Sequence, residues 1–77
     1  MIIDTVERMV NQVFMHEPDV MVVITENKNP IGVVYKEDWE SEKMAHLRAK
    51  CSQAKAPDTF ERGDIPVVGT VIKIEIA

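Results

Sequence analysis

One cysteine, three glycines and four aromatic side chains among 77 residues leave several protein classes without their raw material. With Cys51 alone no intrachain disulfide can form. The stapled scaffolds of small secreted domains are thereby excluded, and a reducing, cytoplasmic setting is expected. Gly32, Gly63 and Gly69 never cluster, so no glycine-rich phosphate loop is present. The longest unbroken apolar run, Val20 to Ile24, falls far short of the roughly 20 residues of a membrane-spanning helix. Met1-Ile2-Ile3-Asp4 shows no basic, then apolar, leader pattern. Positive charge is also scarce: 9 basic against 13 acidic side chains give a net charge of −4. The basic residues are scattered without interleaved aromatics, which argues against nucleic acid as a partner.

What is present suits one folded domain, with 45% apolar and 29% charged residues. A chain of 77 residues has no room for a Rossmann or TIM framework. It buries only about 60% of its unfolded surface, which leaves a marginal core.

Asp4 and Glu7 have the spacing of a capping box. Val6, Met9, Val10, Val13 and Phe14 then form one helical stripe, and Pro18 ends it. Val20 to Thr25 is β-branched and apolar on both parities, the pattern of a central strand covered on both faces. Glu26 to Pro30 reads as a turn and Ile31 to Tyr35 as the second strand of an antiparallel hairpin. Asp38 to Gln53 contains neither Gly nor Pro and carries the stripe Met44, Leu47, Cys51, Ala54. It is expected to be one helix, with Trp39 and His46 on its flank. Ala56 to Asp64 reads as a loop. Ile65 to Ala77 alternates as a final strand, with Val68, Thr70, Ile72, Ile74 and Ile76 on one side and Val71, Lys73 and Glu75 on the other. Pro66 places an edge or a late start there, and Gly69 suggests a bulge. The expected fold is α+β, in the order α-β-β-α-β. A small three-stranded sheet carries two helices on one face.

Chemistry-bearing residues are sparse. His16 falls at the end of the first helix, where a partial positive charge suits the helix dipole. His46 and Cys51 are five apart, a spacing that does not align them on a helix, and a metal site needs three or four converging ligands. Cys51 lies on the apolar stripe and reads as a small core residue rather than a nucleophile. Glu37, Asp38, Glu40 and Glu42 complement a helix N-terminus without requiring acid–base work. No enzyme, metal or cofactor is expected from these residues.

One stretch carries a family likeness. Val20 to Asp38, VMVVITENKNPIGVVYKED, resembles the second half of a CBS motif, a small module that pairs into adenosine-nucleotide sensors. The run Gly32-Val33-Val34-Tyr35-Lys36-Glu37-Asp38 matches that family's ribose and phosphate contact at Gly32 and Asp38. Tyr35 stands where the family has a Thr or Ser. The family's leading strand is missing, and only one motif fits in the chain. The resemblance implies nucleotide contacts at Gly32, Tyr35 and Asp38.

A different function follows from the sheet. Three strands have a second face that two short helices on the first cannot cover, and both Val33 and Val34 are aliphatic. A second copy of the chain is the expected cover, giving a non-enzymatic interaction module that is homodimeric through its sheet. Trp39, Tyr35 and Phe60 are the expected exposed anchors for a further protein partner, with Glu40 and Glu42 as an acidic rim. A small acidic inhibitor of a host factor, from a phage or mobile element, is a further alternative.

Overall fold

A computed structural model describes residues 3 to 76. The first helix, α1 (Val6–His16), buries the anticipated stripe, with Val6, Met9, Val10, Val13 and Phe14 all inside. Each such side chain contributes about 1.5–3 kcal/mol by leaving water. The cap is Thr5, whose hydroxyl accepts from the Arg8 amide at 3.2 Å. Asp4 instead gives its carbonyl to the Ala56 amide at 3.1 Å, and the Val6 amide donates to the Ala54 carbonyl at 3.0 Å. These bonds tie the start of α1 to the segment beyond the last helix. At the other end Glu17, the residue before Pro18, closes the helix with its amide on the Val13 carbonyl.

β1 (Met21–Glu26) and β2 (Asn29–Val34) form the expected antiparallel hairpin. Asn27 and Lys28 form its turn, with φ of 52° and 68°, the geometry of a two-residue turn that follows the strand twist. The register slips between Ile24 and Thr25, so that Ile31 bulges out of the ladder.

The expected helix from Asp38 to Gln53 is broken in two. α2 (Lys36–Trp39) is a single turn, a 3-10 turn spans Glu42–Met44, and α3 (Ala45–Ser52) follows. The Arg48 guanidinium donates to the carbonyls of Trp39, at 2.6 Å, and Ser41, at 2.5 Å. The Ser41 hydroxyl donates to the Asp38 carbonyl at 2.7 Å. The break thus has its own partners, and it turns Trp39 inward.

The sheet has four strands rather than three, in the order β2-β1-β4-β3. β3 (Glu61–Ile65) lies where a loop was expected, and a tight turn separates it from β4 (Gly69–Ile76). Every residue of β3 is exposed, so this edge strand shows no apolar alternation. Its charges, Glu61, Arg62 and Asp64, are those an unpaired edge uses against unwanted pairing. Gly69, with φ +98°, opens β4 after the turn and is not a bulge. β1 and β4 are parallel neighbours at the centre, flanked by the antiparallel hairpin partners. Ala77, the expected last residue of the strand, lies outside the described residues, as do Met1 and Ile2.

Register assigns the faces. Val22 pairs with Val34 and Ile72, and Ile24 with Gly32 and Ile74. These aliphatic residues, with Ile76, join the α1 stripe, Trp39 and Cys51 in one core, and Met44, Leu47, Ala54 and Ala56 pack against it. Gly32 is where α3 approaches most closely: a Cβ there would stand 2.5 Å from Leu47 Cδ2. All the helical elements that reach the core therefore lie on one side of the sheet.

Candidate functional site: the open face of the sheet

Among the described residues the other side carries no helix. Its residues follow from the same register, read from the β3–β4 turn downward. Ile65 pairs with Gly69, and the next row is Gly63, Val71 and Met21. Below it run Glu61, Lys73, Val23 and Val33, and then Glu75 and Thr25. The face is sorted along the strands. Its upper part, nearest the β3–β4 turn, and its β1–β2 side are apolar: Ile65, Val71, Met21, Val23 and Val33. Its lower part is charged: Glu61, Lys73 and Glu75. Val33 is 51% exposed and Ile65 46%. Val71 is buried but does not belong to the main core. On this face β1 is partly covered within the chain: Thr25 is buried, and Met21 and Val23 are half-buried.

The charged part is internally satisfied. The Glu75 carboxylate accepts from the Thr25 hydroxyl at 3.0 Å and from the Lys28 amide at 3.0 Å. One carboxylate thereby holds the end of β4, the part of β1 next to the β2 bulge and the left-handed turn residue Lys28. An open groove beside it is lined by Thr25, Lys28, Phe60, Glu61, Lys73 and Glu75. Charges of both signs alternate there, and no single-sign field is focused on a ligand.

The expected anchor residues do not share a surface. Trp39 is only 2% exposed, and its indole N–H donates to Asn11 Oδ1 at 2.7 Å. It is a core residue that joins α2 to α1, which corrects its assignment as an exposed anchor. A tryptophan placed beside acidic residues gave no sign of burial, because the helix break that turns it inward is set by Arg48, nine residues on. Tyr35 and Phe60 are 39% and 37% exposed. They occupy diagonally opposite corners, Tyr35 after the end of β2 and Phe60 before the start of β3. Glu40 and Glu42 are exposed around the helix break.

Of the residues in the family-like run, Tyr35 and Asp38 come together: the Tyr35 amide donates to Asp38 Oδ2 at 3.3 Å as part of a capping box. Gly32 faces the helices, under Leu47. The hollow beside Tyr35 is lined by Asp19, Glu37 and Glu40 against one lysine, Lys36. An acidic lining of this kind disfavours a nucleotide's phosphates.

Other candidate chemistry is placed as follows. The Gln12 amide donates to His16 Nε2 at 2.8 Å on the exposed side of α1. Cys51 is fully buried. Burial first, and the charge of Glu7 second, push its thiol up to about 11. At neutral pH it is therefore protonated and a poor nucleophile. Among the described residues no three His, Cys, Asp or Glu side chains converge as a metal would require. No described helix is long and apolar enough to cross a membrane.

The residues missed in the sequence are Ile65, Val67 and Glu75. Ile65 and Val67 flank a proline, which obscured the hairpin. Glu75 read as a solvated strand position and instead ties the end of β4 to β1 and to the β1–β2 turn. No protein family, curated protein or solved structure matches the chain.

Proposed function

We propose that the chain is a small, non-enzymatic interaction module that works as a homodimer through the open face of its sheet. The observation that carries this reading is the sorting of that face. Met21, Val23, Val33, Val71 and Ile65 form one contiguous apolar area, bordered by Lys73 beside Val23. Val33 and Ile65 would lose about 25 cal/mol of unfavourable hydration for each Å² covered. A contiguous apolar patch on a small domain marks an interaction site more often than scattered exposed valines do.

The pattern of the face also suits a second copy. Two sheets pack face to face with their strands within about 30° of each other. A two-fold axis lying between the sheets, along the strands, sets β3–β4 of one copy over β1–β2 of its partner and keeps their ends level. The rows nearest the β3–β4 turn, with Met21, Val71 and Ile65, then meet each other, and Val23 and Val33 come over the row that carries Lys73 and Glu61. The charged part, with Lys73, Glu61 and Glu75, presents both signs to its own copy.

Light scattering across a hundredfold dilution tests the proposal. The expected mass at high concentration is twice 8.7 kDa, falling toward one chain on dilution. Val33→Asp should hold the protein at one chain throughout without unfolding it. A wild-type mass of one chain at every concentration would overturn the reading.

A further inference from the structure

One row of the open face mixes valines with two charges. Register sets Val33, Val23, Lys73 and Glu61 side by side across the sheet. Lys73 lies on β4, at the centre, and Glu61 on β3, at the edge. The two stand directly opposite each other on paired strands, where side chains of opposite charge can meet. In the single chain they do not close. The ion pairs formed among the described residues are Arg8 with Asp4, Lys50 with Glu26 and Arg62 with Glu17. Lys73 and Glu61 are both exposed. Water screens such a pair, and holding two long side chains together costs entropy.

A cover changes that balance. An ammonium placed beneath an apolar side chain loses its water and needs a counter-charge. Glu75, two residues on along β4, is already engaged: its carboxylate accepts from the Thr25 hydroxyl and the Lys28 amide, each at 3.0 Å. Asp64 alternates to the helix side of β3, where its carboxylate accepts from the Thr70 hydroxyl at 3.1 Å. Glu61 is the carboxylate left for Lys73.

We infer that Lys73 and Glu61 close into an ion pair when a second copy covers them, and that this pair selects an uncharged row as its cover; this rests on the homodimer proposed above. The argument for a second copy as the occupant is charge complementarity. One cation and one anion sum to zero, so the row fits a cover that brings no charge of its own. In the two-fold arrangement β4 of one copy lies over the partner's β1, and β3 over the partner's β2. Lys73 then meets the partner's Val23, and Glu61 meets the partner's Val33. Both are uncharged, and Val33 is 51% exposed in the single chain. The apolar stem of Lys73 adds contact with the valine above it. The edge position of Glu61 keeps one side of the pair at water, which limits the desolvation cost. The pair thus serves specificity: a partner presenting a charge to this row would leave that charge covered and uncompensated.

The experiment measures dimer dissociation constants by sedimentation equilibrium for wild type, Glu61→Gln, Lys73→Met and the double variant. Thermal midpoints of the same changes are taken with Val33→Asp present, so that they report on single chains. The expected result is a dimer for wild type, weaker by about tenfold or more in Glu61→Gln, which leaves the covered ammonium without a counter-charge. In the Lys73→Met background the same Glu61→Gln change should move the constant by less than about twofold. Single-chain midpoints should not respond to Glu61→Gln. A Glu61→Gln dimer as tight as wild type would overturn the pair and leave the sheet interface standing. Equal weakening in both backgrounds would overturn it as well, since Glu61 would then act without Lys73. Lower single-chain midpoints in Glu61→Gln would also overturn it, because the pair would then already serve the fold. A wild type that is monomeric at every concentration would overturn the homodimer itself.

Discussion

On the helix side of the sheet Val22, Ile24, Val34, Ile72 and Ile74 have no exposed surface, whereas on the open side Val33 is half exposed and Lys73 faces water. The same strands supply both sides, one residue apart. On the covered side these aliphatic residues share one core with the α1 stripe, and the single glycine in β2 admits Leu47. On the open side the aliphatic residues gather toward the β3–β4 turn and along β1 and β2, and Glu61, Lys73 and Glu75 occupy the rest. The contrast teaches that apolar residues on the open side are not spare core. Their clustering is the apolar area on which the proposed interface rests.

That contrast can be broken by substitution. The largest effect is expected from Ile74→Ala on the covered side. Such a change costs about 2–5 kcal/mol, against a total of about 4–12 kcal/mol for a domain of this length. Urea unfolding should show most of the stability gone. Val33→Ala on the open side, measured at a dilution where chains are single, should change it by less than about 0.5 kcal/mol. Equal losses at the two positions would remove the distinction between the faces.

Trp39→Phe comes next. It keeps most of the buried ring and removes the hydrogen bond to Asn11, so a loss of about 1 kcal/mol is expected. A similar loss, of about 0.5–1.5 kcal/mol, is expected for Glu75→Ala. It releases Lys28 and Thr25 and leaves the β1–β2 turn strained without support. Lys28→Gly in the same background should recover part of it by relaxing the positive φ. If Glu75→Ala is silent in urea unfolding, the carboxylate does not support the turn.

The smallest effect is electrostatic. Arg62 on the edge strand donates both terminal nitrogens to the Glu17 carboxylate, at 2.6 and 2.5 Å, clasping β3 to the end of α1. The guanidinium lowers the Glu17 carboxyl below its ordinary value and is itself raised by it. A carboxyl lowered in the folded state stabilises the fold above its unfolded value, and that contribution is lost as pH falls through the folded value. Glu17→Gln should therefore flatten the acid limb of the stability curve, slightly, since the pair is exposed to solvent. An unchanged acid limb would mean that the clasp adds nothing.

Much of the fold was legible because it follows from periodicity. The α1 stripe, the β1–β2 hairpin and the alternation of Ile72, Ile74 and Ile76 each arise from local spacing, and all three are present. The failures share a cause. β3 is an edge strand whose residues are all exposed, so pairing with β4 defines it and no apolar pattern announces it. The long helix breaks because Arg48 takes two backbone carbonyls on the far side of the break, a tertiary bond that helix propensity does not register. Trp39 was misplaced for the same reason. Of the candidate site, the uncovered second face was visible in Val33 and Val34, but its sorting into apolar and charged ends needed the register of four strands. The β3–β4 turn was hidden because Pro66-Val67 looked like the faltering start of one strand rather than the turn between two.

The central claim is that a second copy covers the open face. Its most direct measurement is isotope-filtered NMR on a mixture of labelled and unlabelled chains, which detects contacts between copies only. The account predicts intermolecular contacts from the methyl groups of Val33, Val23 and Met21. Contacts confined to the helices, or none at concentrations where the chains are paired, would contradict it.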